Sequence, residues 1–434
     1  MDQNIGKEIR LIRKQRNLSL RALGDKIGVY FTQLGKIERG EESVSDEILL
    51  SLEKALEVNF NDILEQSRKI ETFFEEFLNS LFFHDQNEEY FKTKIKSKQN
   101  ISTPFNSLSK IQLMEYILLV SENKIDEAIK MEDSLFEYFI GDYECEALLY
   151  QYKGVGYFKK KDYDKALFLL EKARSLVYNE KQRAMILLHL YMVYFSKRMF
   201  LKAAVCIETA MRIFAEQGSL RRLSYCYVEY ALLLKAEYQY EKAIEYFNKG
   251  LHAGELINWS EDIFARTYRN MCWTMILAKD YLKALDYLDE AIEIQPNDPH
   301  SALYEIWCNY KLKRYDDAEK IIFKNLHLYK DPDYSSYFKL FDLLVKCKDS
   351  IPSKGLLKAA KKTINSFKGK EEYERYVFYI DIILDLLERS DDQLSKIKYL
   401  EMKINLLQCC TMYRLSLIHI LIKITQHSKY YIIC

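Results

Sequence analysis

At 434 residues the chain exceeds one small domain and has room for a small head and a larger body. Only 13 Gly and 5 Pro punctuate it, against 49% hydrophobic and 29% charged residues, the composition of closely spaced helices without long linkers. Its 64 basic and 64 acidic residues cancel, which excludes a chain that grips nucleic acid or membranes by bulk charge.

The first predicted helix, Ile5 to Gln15, sets Ile5, Ile9 and Ile12 on one face. Ser19 then stands where a hydroxyl caps the next helix, whose apolar positions are Leu20, Leu23 and Ile27. Gly28-Val29 reads as a tight turn, Gly28 supplying the permissive backbone. A second short helix, about Phe31 to Arg39, adds Leu34 and Ile37 to the same core, and Leu49, Leu52, Leu56 and Val58 complete it downstream. Five short helices within about 65 residues result, with a helix-turn-helix between Leu18 and Gly40. Basic residues outnumber acids over the first forty positions, and the acids from Glu41 onward reverse the balance.

The stretch IGKEIRLIRKQRNLSL…GVYFTQLGKIERG resembles the DNA-binding domain of lambdoid phage repressors, Cro proteins and many bacterial regulators, over about residues 5 to 65. The resemblance implies a structural ion pair between Arg10 and Glu38. It also implies that Phe31, Thr32, Gln33 and Lys36 approach base edges or nearby phosphates, where Gln suits adenine and Lys suits guanine or phosphate. Departures from the family pattern are Leu20, Tyr30, Gly24 and Gly35; they weaken helix propensity and one phosphate contact, which Arg21 or Ser19 is expected to take over.

Ser67 to Phe83, with Ile70, Phe73, Phe74, Phe77 and Leu78 on one face, predicts a helix linking head to body. Beyond it a quartet recurs in which a bulky residue is followed by Ala, a bulky apolar residue and a small one at spacings of 3, 4 and 3. The copies are Tyr163-Ala166-Leu170-Ala173, Phe200-Ala203-Ile207-Ala210, Tyr240-Ala243-Phe247-Gly250, Tyr281-Ala284-Leu288-Ala291 and Tyr315-Ala318-Ile322-Asn325, with a weaker one at Ile125-Ala128. Their leading residues lie 34 to 41 residues apart, the period of a helical hairpin, and Ala lets a neighbouring helix come close. Each quartet has a partner helix upstream, and Pro296 follows one unit where a helix should stop.

This array resembles tetratricopeptide repeats. The resemblance implies a right-handed superhelix whose concave face is lined by the first helix of each hairpin, a groove for an extended or helical peptide. The fold class is therefore all-α: a head at 1–66, a helical linker and divergent first hairpin at 67–105, repeats at 106–330, divergent repeats or a cap at 331–414, and a tail at 415–434 without the repeat register. On the groove-lining helices, His189, Tyr225, Glu229, Arg266, Arg269, Asn270, Trp273, Tyr304 and Trp307 are the candidate peptide contacts. Asn270 leads, because an amide both donates to and accepts from a peptide bond, while Arg266 and Arg269 suit a carboxylate. Inter-repeat packing for the tryptophans and a solvated face for the arginines are the competing assignments.

Head plus array resembles the cytoplasmic peptide-pheromone receptors of Gram-positive bacteria, the Rgg, NprR, PlcR and PrgX regulators, with order and length closest to NprR-like members. That implies a homodimer on a double-stranded DNA operator, with a short signalling peptide in the groove changing how two heads meet their half-sites. The alternative is a repeat scaffold docking a protein partner such as a response regulator, with DNA binding secondary. No histidine cluster, phosphate-binding Gly loop or nucleophile motif suggests an enzyme, and no cofactor or metal is implied. Nine scattered cysteines lack C-x-x-C spacing; Cys206, Cys226 and Cys272 read as buried hydrophobes. With no signal peptide and no apolar run of membrane-spanning length, a cytoplasmic protein is expected, with no membrane contact.

Overall fold

The computed structural model describes residues 5–85, 87–98, 108–139, 142–348, 352–366, 373–390 and 393–408, so the tail reading at 415–434 lies outside the described residues. All regular structure among the described residues is helical. The chain divides into two compact units, Met1–Val193 and Tyr194–Cys434.

The first unit opens with α1 (Ile5–Gln15), α2 (Leu20–Ile27), α3 (Phe31–Glu38) and α4 (Asp46–Leu56). Ile9, Leu23, Leu34, Leu52 and Leu56 are fully buried between them. Ser19 accepts a hydrogen bond from the Ala22 amide at 3.0 Å, and Gly28 turns the chain at φ 72°, as the sequence predicts. Gly24 has a steric reason for its identity: a Cβ there would sit 2.5 Å from the Val29 carbonyl oxygen.

From Phe60 the chain runs as one continuous helix, α5 (Phe60–Phe83), so the expected fifth head helix and the linker helix are a single element. Asn59 caps it, neither Gly nor Pro interrupts it, and the buried stripe Phe60, Ile63, Ser67, Ile70, Phe73, Phe74, Phe77 never breaks. The domain boundary drawn at residue 66 therefore falls inside a helix.

Then come α6 (Glu88–Lys98), α7 (Leu108–Ser121), α8 (Ile125–Tyr138), α9 (Tyr143–Lys159), α10 (Tyr163–Leu176) and α11 (Glu180–Ser196). The second unit continues through α12 (Phe200–Glu216), α13 (Leu220–Ala236), α14 (Tyr240–Leu256), α15 (Glu261–Ala278), α16 (Tyr281–Ile294), α17 (Pro299–Lys311) and α18 (Tyr315–Lys324). A short 3-10 turn, Leu326–Tyr329, leads to α19 (Ser335–Lys346), α20 (Lys354–Asn365), α21 (Tyr373–Ser390) and α22 (Gln393–Gln408).

Each quartet opens the second helix of a hairpin, and its small residues make the seam. Ala166, Leu170, Ala173, Ala203, Ile207, Ala210, Ala243, Phe247, Ala284, Leu288, Ala291 and Ala318 are all fully buried. In the first unit Gly154 of α9 meets the quartet of α10 so closely that a Cβ would stand 2.8 Å from the Leu170 Cγ. Every hairpin turn carries a left-handed residue two positions before the quartet: Asn123, Lys161, Arg198, Tyr238, Lys279 and Lys313, with φ between 58° and 66°. None is glycine, so each turn stores strain of about 1 kcal/mol that the seam must outweigh. Asp162 and Asp280 then cap α10 and α16 by accepting from the Lys165 and Lys283 amides.

Candidate functional site

In the head, α3 turns Leu34 and Ile37 inward and leaves Phe31, Thr32 and Lys36 exposed. Ser19 and Arg21, at the start of α2, are exposed as well, and the Arg21 guanidinium lies 5.2 Å over the Phe31 ring. Gln33 is half-buried and donates from Nε2 to Glu42 Oε1 at 2.7 Å, so part of its amide is committed within the head. Tyr30, which replaces a small cap, makes no side-chain capping bond and is 82% exposed at the helix N-terminus. Arg39 and Glu41 form an exposed bidentate pair at 2.7 and 2.9 Å.

The ion pair expected between Arg10 and Glu38 is made by Arg13 instead. Arg13 Nε and Nη2 donate to Glu38 at 2.6 and 2.9 Å, and Nη1 donates to the Leu18 carbonyl at 2.7 Å. Arg10 is exposed. Helix geometry explains the correction: Arg13 lies one turn beyond Ile9 on the buried face, whereas Arg10 is rotated about 100° from it. The Glu38 hydrogen bond raises the Arg13 guanidinium above its ordinary value, so the guanidinium stays charged.

In the first unit His189 contacts the Gln151 amide at 3.3 Å and sits edge-on to Tyr152. The other eight groove candidates lie in the second unit. Tyr225 stacks on Trp259 at 5.7 Å, Glu229 is half-buried and Arg266 is exposed. Arg269 donates to Gln295 at 2.8 Å and lies 3.7 Å from Asp298, which knits one repeat to the next. Asn270 is half-buried, its main-chain carbonyl taking the Thr274 hydroxyl at 2.7 Å.

Trp273, Tyr304 and Trp307 converge on one narrow opening, together with His300, Leu303, Tyr337, Phe341, Arg375, Phe378 and Tyr379. The Trp273 and Tyr304 rings stack at 5.3 Å, Trp307 stacks on Phe341 at 5.6 Å, and His300 meets the Tyr334 hydroxyl at 3.1 Å. Burial pushes the Tyr304 phenol up to about 12, so it remains a neutral hydroxyl. Lys235 of α13 carries a buried ammonium, 2.8 Å from Glu374.

Two family models match the chain: Helix-turn-helix over residues 9–63 and Tetratricopeptide repeat over 275–336. The chain joins a helix-turn-helix head to tetratricopeptide-like repeats. Among solved structures, the apo form of RapI aligns with a TM-score of 0.63 at 19% identity, covering 78% of this chain and 97% of RapI. The apo form of the quorum sensor NprR from B. thuringiensis aligns with a TM-score of 0.61 at 14% identity, covering 80% and 100%. NprR in complex with its cognate peptide NprX aligns with a TM-score of 0.51 at 16% identity, covering 78% and 99%. At these identities the likeness is one of fold. A search of curated proteins finds no match.

Against that fold, the helix-turn-helix head presents most of its expected recognition face to solvent, and the repeats gather three of the nine groove candidates around one opening. Sequence reasoning missed Tyr30 as an exposed group, Glu42 as the partner of Gln33, and Lys235 altogether. Lys235 follows the apolar run Ala231 to Leu234, one turn from the fully buried Ala231, and that position was a readable sign of a buried charge. Arg375 and Phe378 carry no local signal, because α21 holds no quartet. Cys206, Cys226 and Cys272 are buried, as expected, and burial raises the Cys226 and Cys272 thiols well above their ordinary value. Among the described residues no helix is long and apolar enough to cross a membrane.

Proposed function

We propose that this protein is a sequence-specific transcriptional regulator that pairs two copies on a double-stranded DNA operator, and that its repeats take a short signalling peptide. Arg21, Phe31, Thr32 and Lys36 form the DNA face, with Ser19 positioned to meet a phosphate and Gln33 released from Glu42 to read a base. Trp273, Tyr304, Trp307 and Asn270 hold the peptide, with Tyr225, Glu229, Arg266 and Arg269 as further contacts along the second unit. The carrying observation is that one chain joins an exposed recognition helix to a repeat groove with an aromatic opening beside a buried cation. NprR, which shares this fold, is a quorum sensor crystallised with a cognate peptide, and that supports the same use of the groove here. The peptide acts by binding one arrangement of the dimer better than the other.

Operator selection from random duplexes, with footprinting of the selected site, tests this reading. Enrichment of a two-half-site sequence by the full chain, lost in Gln33→Ala with Lys36→Ala, supports it. No enrichment at any salt concentration refutes it. A second reading, docking of a response-regulator protein, is favoured by the acids Glu41 and Glu42 beside the recognition helix and the Gln33 tether. Capture of a receiver domain by a chain that enriches no DNA establishes that reading instead.

A further inference from the structure

We propose that the aromatic opening of the second unit is a subsite for a peptide bearing a carboxylate beside a bulky apolar side chain, and that α21 fills it in the ligand-free chain as an internal stand-in. The inference rests on the peptide-receptor reading and adds to it the chemistry of the ligand and the identity of its competitor.

Phe378 lies between the two indoles, 4.9 Å from the Trp273 ring and 5.1 Å from Trp307, edge-on to both. One helical turn earlier, Glu374 places Oε2 2.8 Å from the Lys235 ammonium and 3.3 Å from the Trp273 indole nitrogen, which donates to it. An acid and an aromatic ring four residues apart share one face of a helix, so α21 presents both groups as a single strip. Arg375, between them in sequence, also lines the opening.

The receiving side is built for an anion. The Lys235 side chain is only 9% exposed, and a buried ammonium requires a compensating negative group. The chain supplies that group from a helix far away in sequence, through a glutamate that is itself 34% exposed and so can be displaced by an incoming carboxylate. Trp307, 6% exposed, has an indole N–H without a hydrogen-bond partner, a donor that a peptide carbonyl can satisfy. A ligand therefore competes with Glu374 and Phe378 for the same groups. Ile380, Ile383 and Leu387 keep the rest of α21 in the core, so what withdraws is its first turn, and the apparent affinity is the intrinsic one reduced by the fraction of molecules in which Glu374 and Phe378 have swung out.

The test uses the full chain and three variants: Glu374→Gln, Glu374→Gln with Phe378→Ala, and Lys235→Met. Hydrogen exchange without ligand is read first. Faster exchange in α21 of the double variant than in the parent is expected, and unchanged exchange overturns the stand-in. Each protein is then offered a pool of random heptapeptides with free C-termini and the same pool amidated. The double variant should retain peptides with about tenfold lower Kd than the parent, the gain from removing a competitor present in about nine molecules of ten. Glu374→Gln, which keeps the size of the side chain, should show a smaller gain. Retained peptides should be enriched in an acid beside Leu or Phe, an enrichment that Lys235→Met abolishes. Loss of retention on amidation assigns the carboxylate to the peptide terminus, and survival assigns it to a side chain. Equal Kd in parent and double variant overturns the competition. Retention of no peptide by any protein overturns the receptor reading beneath it.

Discussion

Replacing Arg13 with Met removes one member of a pair whose side chains are 10% and 4% exposed, and leaves the Glu38 carboxylate buried without its cation. It also strands the Leu18 carbonyl, which Arg13 Nη1 serves at 2.7 Å. Breaking a buried pair by removing one partner costs about 3–5 kcal/mol. Because the Arg13 side chain keeps 10% of its exposure, we take the lower end, about 3 kcal/mol. At 1.4 kcal/mol per decade this accelerates exchange of the α1 and α3 amides on the order of 100-fold, if they open as one unit. Native-state hydrogen exchange of the full chain, read separately for α1 and α3, measures it. Arg10→Met should leave the same amides within about 0.5 kcal/mol of the parent, as expected of an exposed site. Restoring a neutral pair with Arg13→Met and Glu38→Leu should recover much of the loss, since the stranded charge is gone. If Arg10→Met and Arg13→Met speed exchange equally, the assignment of the pair to Arg13 is wrong.

Four further outcomes follow from the same geometry. Gly24→Ala should weaken the head by about 1–3 kcal/mol, because its Cβ would stand 2.5 Å from the Val29 oxygen, whereas Gly35→Ser should be tolerated with its nearest neighbour at 3.4 Å; differential exchange in α2 reads both. Lys279→Gly should stabilise the second unit by about 1 kcal/mol, because glycine adopts φ 63° without a Cβ penalty; equal melting of the two proteins would count against strain in the turn. Asn270→Ala should weaken capture of the peptide ligand by about 1–3 kcal/mol in calorimetry, and equal affinity removes it from the groove. Burial raises the Glu305 carboxyl above its ordinary 4.5, so the folded chain binds more protons there than the unfolded one and stability falls as pH rises through that raised value. Glu305→Gln should therefore raise the melting temperature at pH 7, with the advantage fading as pH falls to about 4.5; an equal advantage at both would show that ionisation is not the cause.

Local patterns in the sequence carried the parts of the fold that depend on local spacing. The 3, 4, 3 quartets mark the seam correctly because a helix repeats its face every turn, and Ala166, Ala203, Ala243, Ala284 and Ala318 are all fully buried there. The turns were harder, since Lys161, Arg198, Tyr238, Lys279 and Lys313 occupy left-handed backbone that usually signals itself through glycine. The Arg10 assignment followed a family resemblance where the helical angle from Ile9 would have selected Arg13. Trp273, Tyr304 and Trp307 were legible as a set because all three stand on first helices of consecutive hairpins. Glu374 and Phe378 were not, because they meet those helices across separations of about 70 to 100 residues that no local period encodes.

Under the proposed DNA-binding reading, the head's geometry favours a reader that acts as two copies. On its expected DNA face the exposed donors are Ser19, Arg21, Thr32 and Lys36, while Arg13 is spent on Glu38, Arg39 on Glu41, and one Gln33 donor on Glu42. Reading a base with Gln33 in bidentate fashion uses its Oε1 and one N–H, and the 2.7 Å bond to Glu42 holds one of the two N–H groups and limits how the amide can turn toward a base. Glu41 and Glu42 also bring negative charge toward the phosphates, which lowers the electrostatic share of affinity and flattens its salt dependence. On that proposal, one recognition face with few exposed donors and two nearby acids gives a weak grip, and two heads on one duplex raise affinity through effective concentration without any new contact. Control of how those heads are held is then control of DNA binding. Glu42→Gln supplies the check: loosening Gln33 and removing one charge should strengthen binding of a single half-site several-fold and steepen its salt slope. A weaker or unchanged half-site affinity in a salt titration would mean that the tether positions Gln33 for the base instead of withholding it.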